Sequence, residues 1–447
     1  MLETMERPHA GAFDQIDPPD IELALDCVHC GLCLPTCATY LVLGNEMDSP
    51  RGRIYLIRSA IEGKARLTPT FVRHMELCLV CRACETACPS GVRFSPLMEA
   101  ARGQIARLAP PAGAERLFRK FLYGVFPYPA RLAALLLPLQ WYQRLGLQAL
   151  VRRSGLLEAL SPRLGQMEAL LPRIERVTFW SDLLEVTPAV GPRRGRVGLL
   201  AGCVQRVLFS ATNAATVRVL AAHGYEVVVP RAQGCCGALH LHGGERDGAR
   251  ALARACLEAF EAAEVDFVVT NAAGCGSTLK EYGELFHGDP RLAGRAEAFS
   301  RKARDVSQVL AAAPRADGAP GRLDLTLTYH EPCHLCHGQK VRQEPRQLLR
   351  SIPGLRLVEL AESDLCCGSA GVYNLTEPEV ALRLLERKIE QVARTKAEVV
   401  ASGNPGCLLQ LSLGIRRAGL PVRAVHPVEL LDWAYRGGAT APPPWAG

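Results

Sequence analysis

Residues 27–37 read CVHCGLCLPTC and residues 78–88 read CLVCRACETAC, the second followed by Pro89. Each is a run of four cysteines with intervals of two, two and three residues. Thiolates two residues apart can wrap one face of a small iron–sulfur core, because the backbone turns tightly around it. The fourth thiolate does not reach that core easily. Structural zinc typically takes separated pairs of ligands, so these three-plus-one runs point to iron–sulfur ligation. Gly31 lets the chain approach closely and Pro89 fixes the turn after the last cysteine, whereas Ala38 leaves the equivalent turn of the first run less constrained. His29, between two ligands, reads as a hydrogen-bond donor or an exposed residue rather than an iron ligand.

In two-cluster ferredoxins the fourth cysteine of each run ligates the other cluster. On that pattern Cys27, Cys30, Cys33 and Cys88 hold one [4Fe–4S] cluster, and Cys78, Cys81, Cys84 and Cys37 hold a second. Folding and metal loading are then coupled. The interval between the runs contains Asp48-Ser49-Pro50-Arg51-Gly52-Arg53, followed by an expected helix over Ile54–Glu62. Arg51 and Arg53 either face the clusters and offset their negative charge, or cap and solubilise that helix.

The chain has 447 residues, enough for two to four domains. Its 48% apolar and 22% charged residues are those of a globular protein. Eighteen cysteines are too many for a reducing compartment unless they bind something. The first twenty residues lack an apolar signal segment, which gives a cytosolic expectation. No run of 18 apolar residues is present, and the longest candidate, Leu132–Leu139, includes Pro138, so any membrane contact is expected to be peripheral. The net charge of +7 is uneven, with 15 Arg/Lys against 6 Asp/Glu over residues 101–196. Mixed with Tyr128, Trp141, Tyr142 and leucines, these arginines suit an anionic lipid surface or an acidic partner, or form a solvated helical linker. No nucleic-acid-binding motif accompanies them, and no nucleic acid is expected as a partner. Residues 101–190 read as short helices broken at Pro110, Pro127, Pro129, Pro138, Pro162 and Pro172.

Residues 196–432 contain an internal repeat. The first copy runs from strand Val197–Leu200 to Cys203, a helix through Asn213–His223, strand Glu226–Val229 and Cys235-Cys236-Gly237. It closes with strand Phe267–Thr270 leading to Asn271 and Cys275. The second runs from strand Leu325–Tyr329 to Cys333, a helix near Arg346–Ser351, strand Arg356–Glu359 and Cys366-Cys367-Gly368, then strand Val399–Ser402 leading to Asn404 and Cys407. Strands alternating with helices imply a mainly parallel sheet in each copy, with the cysteines at its carboxyl edge. The copies are expected to pack as a pseudo-symmetric pair joined by the Pro/Gly-rich segment Ala312–Arg322. Adjacent cysteines do not easily bond to each other, so both pairs ask for a metal or redox role. The fold class is therefore α+β multidomain. Its parts are a helix-rich two-cluster ferredoxin domain (20–100), a basic helical linker (101–195) and two tandem α/β cysteine-rich repeats (196–315 and 322–432).

With DSPRGRIYLIR, GCCG, NAAGCGSTLKEYG, YHEPCHLCH and LCCGSAG added to the tandem runs, the chain resembles the iron–sulfur subunits of bacterial glycolate oxidase over residues 20–432. The wider group includes iron–sulfur subunits of anaerobic glycerol-3-phosphate dehydrogenase and lactate utilisation, and the cysteine-rich subunit of heterodisulfide reductase. The last of these places a fifth cysteine three residues after the final one of each repeat, where this chain has Thr278 and Gln410. The resemblance leaves open whether Cys203, Cys235, Cys236 and Cys275, or Cys333, Cys366, Cys367 and Cys407, hold one or two further clusters or only residual thiols. Cys336 is an alternative ligand, His330, His334 and His337 are neighbours able to tune such a site, and Cys256 reads as a buried small hydrophobe.

A dinucleotide fingerprint and a Ser/His/Asp constellation are both missing from the sequence, so no catalytic residue is expected and the chain is not expected to act alone. The resemblance implies a relay from an FAD-containing subunit that oxidises glycolate toward quinone or another acceptor, on the cytoplasmic face of the inner membrane. The alternatives are the same relay for lactate or glycerol-3-phosphate, or a non-catalytic assembly subunit.

Overall fold

The computed structural model describes residues 11–172, 174, 183–313 and 320–443. The centre of the expected joint at 312–322 lies outside them. Contacts divide the chain into two compact units, Met1–Arg119 with His240–Arg246, and Lys120–Leu239 with Asp247–Gly447.

The first unit is helical, as the spacing of its cysteine runs implies. Its longer helices are Pro50–Ile61, Pro69–Glu76 and Phe94–Leu108. Proline opens the first two because its missing N–H would be unpaired there anyway. Ser49 and Thr68 cap them, accepting from the N–H groups of Gly52 and Phe71; caps of this kind contribute about 1 kcal/mol each. Ile57, Met75, Leu97 and Met98 are fully buried and close a single apolar core beneath the cysteine loops.

The second unit begins with helices, among them Pro129–Arg144, Leu147–Ser154 and Pro162–Leu170, and continues into two sheets. The expected break at Pro138 is not observed, since the helix runs through it to Arg144. A mid-helix proline costs roughly 3 kcal/mol. Burial of Leu132, Ala133 and Leu136 against Ile174 and Val207 offsets this, at about 1.5–3 kcal/mol for each leucine.

The strands are β1 (Val186–Thr187), β2 (Gly195–Leu199), β3 (Tyr225–Val228), β4 (Phe267–Thr270), β5 (Ala303–Asp305), β6 (Thr326–Tyr329), β7 (Arg356–Val358), β8 (Val399–Ala401) and β9 (Arg423–Val425). One sheet has the order β1-β3-β2-β4-β5 and the other β7-β6-β8-β9. All pairings are parallel except that of β1, which runs antiparallel to β3 at the edge. Corresponding strands occupy corresponding places, as duplication requires.

The two copies share one core, in which Val197, Leu199 and Val269 of the first sheet meet Leu327, Val399 and Val425 of the second. Helix Ser210–Ala222 of the first copy packs on Pro427–Tyr435 of the second, and helix Gln343–Arg350 of the second packs on Val306–Ala312 of the first. Arg218 clasps Asp432 through two bonds of 2.7 and 2.8 Å across the first of these contacts. The expected pseudo-symmetric pair is thus observed as an exchange of equivalent helices. Gly237 and Gly368 have φ of 86° and 88°, and a Cβ there would lie 2.9 and 2.5 Å from the carbonyl oxygens of Ala249 and Ala381, so both cysteine pairs turn tightly onto the following helix.

Candidate metal centres

The two N-terminal loops share a backbone signature. The residues flanking the second cysteine are left-handed in both: His29 and Gly31 at φ 55° and 85°, Val80 and Arg82 at 48° and 65°. For a non-glycine residue this costs roughly 1–2 kcal/mol and persists only where surrounding contacts impose it. Those contacts are present. Arg51 donates to the His29 carbonyl at 3.1 Å while held by Glu46. Arg82 pairs with Glu85, whose other oxygen accepts from the Ser95 N–H at 2.6 Å. Arg102 donates to the carbonyls of Met75, Glu76 and Cys78, tying the second loop to the helix before it.

The thiols cluster across the loops. Burial raises Cys27 above the ordinary thiol value, and the sulfurs of Cys88 and Cys30 beside it raise it further. Burial pushes Cys33 up to about 11, with Cys27 and Cys37 nearby. Cys84 is raised well above its usual value by burial, with Cys81, Cys78 and Cys37 around it. Cys88 therefore lies within electrostatic reach of the first loop, and Cys37 within reach of both. Cys30 is exposed and Cys27, Cys33 and Cys88 are half-buried, whereas Cys37, Cys78 and Cys84 are buried. No disulfide joins any pair among the described residues. Buried, closely grouped thiols held in a raised range by desolvation fit a group that binds them as thiolates and removes that cost.

A buried polar network supports Cys37. The Arg53 guanidinium donates to the carbonyls of His74 and Asp48, to the Asp48 carboxylate and to Thr39 Oγ1. His74 Nδ1 lies 2.9 Å from that carboxylate, and Thr39 Oγ1 lies 3.3 Å from Cys37 Sγ. Arg53 thus neither solubilises its helix nor faces a cluster directly; it braces the residues around Cys37. The DSPRGR segment flags the two arginines, but no local pattern reveals the parts of His74 and Arg102. The His29 ring packs edge-on against Tyr55, with centroids 6.2 Å apart.

The repeats bring their cysteines together at the carboxyl edges of the sheets. In the first, Cys235 and Cys203 sulfurs are 3.5 Å apart, and hydrogen bonding to Cys235 together with burial pushes Cys203 well above the usual thiol range. Cys235 and Cys275 lie close enough to Cys236 to shift its thiol. In the second, Cys366 acts on the thiols of both Cys333 and Cys367, and Cys407 on that of Cys367. Bonds from Cys366 and Cys407, and His330 alongside, hold Cys367 well below the usual value. His334 Nδ1 lies 3.6 Å from Cys333 Sγ, and Asn404 donates to Cys407 Sγ at 3.4 Å. Cys336 turns back to the Cys333 carbonyl, and His337 faces the Asp364 carbonyl. Cys256 is fully buried in helix Arg246–Ala262, and burial pushes its thiol up to about 12.

Comparison with known proteins finds related domains along the chain. Family models match at residues 23–92 (4Fe-4S dicluster domain), 114–171 (glycolate oxidase iron-sulfur subunit, linker region) and, twice, at 197–280 and 327–412 (cysteine-rich domain). The chain is 42% identical over 417 residues to the probable glycolate oxidase iron-sulfur subunit of Bacillus subtilis, and 36% identical over 412 residues to the glycolate oxidase iron-sulfur subunit of Escherichia coli. Each match covers 91% of this chain and 93% of the relative. Lactate utilization protein A of Oceanobacillus iheyensis is 32% identical over 243 residues, 54% of this chain and 99% of that protein. With its dicluster domain, its linker and its paired cysteine-rich repeats, the chain belongs to the family of glycolate oxidase iron–sulfur subunits, the electron-transfer components of an oxidoreductase complex.

Proposed function

We propose that this chain relays electrons, one at a time, from a flavoprotein subunit that oxidises glycolate to glyoxylate toward quinone or another carrier. Oxidation of the alcohol to the aldehyde releases two electrons and two protons, and the flavin divides the electron pair between successive single-electron transfers. Cys27, Cys30, Cys33 and Cys88 hold one [4Fe–4S] cluster and Cys78, Cys81, Cys84 and Cys37 the other; when bound, each cubane supplies a one-electron redox step. The observation that supports this reading is the closeness of the two cysteine loops: Cys88 acts on the thiol of Cys27, and Cys37 on those of both Cys33 and Cys84. The chain's own residues fix the loops through Arg51, Arg82 and Arg102 and bury three of the four thiols of the second set, Cys37, Cys78 and Cys84, with Cys81 half-buried.

The exposed first loop is the natural edge for exchange with a partner. Val28, Leu32 and Tyr55, all well exposed, surround it with an apolar rim. Among the described residues no single helix is long and apolar enough to cross a membrane. Leu117, Trp141, Leu145 and Leu150 are exposed on the arginine-rich helices, and they support a peripheral contact with the cytoplasmic face of the inner membrane. A second reading, the same relay for lactate, is favoured by the match to lactate utilization protein A across about half of this chain.

The test is anaerobic purification with iron and labile-sulfide counting, followed by EPR after adding the cognate flavoprotein with glycolate or with lactate. Two cubanes require about eight irons per chain. Reduction by glycolate supports the relay as proposed, and reduction by lactate alone moves the substrate. An EPR signal unchanged by either leaves the clusters a structural role.

A further inference from the structure

We propose that His330 supplies an imidazole ligand to an iron centre in the second cysteine-rich repeat, joining the thiolates of Cys367 and Cys407, so that this centre has mixed nitrogen–sulfur ligation. The relay proposed above needs only the eight N-terminal cysteines, so this inference stands apart from it.

His330 is fully buried, and its ring nitrogens find no oxygen or nitrogen partner and no well-formed hydrogen bond; the group closest in effect is the Cys367 thiol, which the imidazole helps to lower. Buried polar groups are nearly always paired, and an unpaired one costs roughly 1–3 kcal/mol, so this imidazole asks for an explanation. It faces sulfur. One ring nitrogen and the sulfurs of Cys367 and Cys407 all lie within 4.8 Å of one another, and all three residues are buried. With metal–ligand bonds of about 2.0–2.3 Å, ligand atoms so placed can converge on one metal atom after small adjustments. Cys366, which acts on the thiol of Cys367, and Cys333, on whose thiol Cys366 acts in turn, bring further sulfurs close to the set. On binding, each thiol gives up a proton and ligates as thiolate; the imidazole donates a lone pair as the neutral base, and its other nitrogen keeps the hydrogen.

The first repeat provides an internal control. The residue equivalent to His330 is Leu200: both follow the central strand, three residues before the lone cysteine, and their N–H groups make equivalent bonds of 2.9 Å to Val269 and Ala401. The same backbone position thus carries a hydrocarbon in one copy and a metal-binding base in the other. Two further differences fall beside the same site. After Cys333 the chain forms a π-helical turn, His334–Gly338, where the first copy has the short α-helix Val204–Leu208; such turns frequently mark functional sites. Lys388, buried in helix Pro378–Thr395, donates to the carbonyls of Glu362 and Ser363 just before the cysteine pair, where the equivalent residue of the first copy is Cys256. A buried amine is suited to balance an anionic centre; a buried thiol is not.

The test uses the full-length chain, purified without oxygen, with total iron and zinc counted and pulsed EPR recorded after dithionite and after ferricyanide. The expected result is iron above the roughly eight atoms of two cubanes, with a strong ¹⁴N coupling of the kind given by a coordinated imidazole in one of the two oxidation states. In His330→Leu, which installs the first copy's residue, the coupling disappears while the N-terminal cluster signals remain. His330→Cys retains the extra iron without the nitrogen coupling and shifts the centre to lower potential, because a thiolate replaces a neutral ligand. His334→Val keeps the coupling. The proposal is overturned by wild-type iron of about eight, by zinc in place of the extra iron, by no ¹⁴N coupling in either state, or by coupling that survives His330→Leu or vanishes in His334→Val. Loss of the N-terminal signals in the wild type would instead count against the relay.

Discussion

Arg53 is 1% exposed, and nothing in its immediate sequence distinguishes it from Arg51 two residues earlier. Its guanidinium satisfies two carbonyls, a hydroxyl and the Asp48 carboxylate, so truncation strands several buried acceptors at once. Breaking a buried ion pair from one side typically costs about 3–5 kcal/mol. We expect Arg53→Met to lose its visible cluster absorbance at clearly lower urea than the wild type. Arg51→Met, whose partner Glu46 is itself exposed, should shift that urea midpoint much less, because an exposed ion pair contributes little. Equal loss in the two variants would refute the bracing role given to Arg53. The eight N-terminal cysteines were legible because ligand spacing is a local property of the chain. The network behind Cys37 was not, because it depends on which arginine the tertiary fold happens to bury. His330 is an intermediate case: sequence put it near the second set of thiols, but only the convergence of its ring on Cys367 and Cys407 distinguishes it from His334 and His337, which are buried too.

Helix Pro427–Tyr435 depends on a neutral histidine. His426 Nδ1 accepts from the Val428 N–H at 3.1 Å, and Nε2 donates to the Asn271 carbonyl at 2.8 Å, so a second proton would take away the capping acceptor. Burial lowers this imidazole to about 4, against an unfolded value of about 6.5. Its contribution is therefore complete above pH 6.5 and is lost as the pH falls toward 4, at a cost of about 3 kcal/mol. In His426→Asn, which keeps a cap acceptor without a titrating ring, unfolding followed by near-UV circular dichroism should be less acid-sensitive across that window. Parallel profiles would reject the assignment. At this scale the sequence reading located six of the nine strands among the described residues, since runs such as Phe267–Thr270 are β-branched and bounded by turn residues, and it missed the short edge strands β1, β5 and β9. It failed at Pro138, where local propensity is outweighed by the burial of Leu132 and Leu136, and it gave no hint of the π-turn at His334–Gly338.

Across the whole molecule, the two N-terminal thiol sets differ in access to solvent, with Cys30 exposed and Cys37, Cys78 and Cys84 buried. Brief exposure to air should therefore strip about half of the N-terminal iron first, from the set containing Cys30, leaving an EPR spectrum free of inter-cluster coupling. Simultaneous loss of both signals would show that access does not govern their lability. The duplication was legible because corresponding cysteines are 130 to 132 residues apart; the crossing of partners was not, because helix exchange leaves no trace in spacing. That crossing bears on descent. Since each copy's apolar flank is closed by the final helix of the other, a single copy would leave that flank open, and two identical copies could close each other's with two identical pockets. Fusion freed the halves from that identity: one pocket could take on an imidazole and an amine while its twin, still needed as a lid, kept leucine and cysteine.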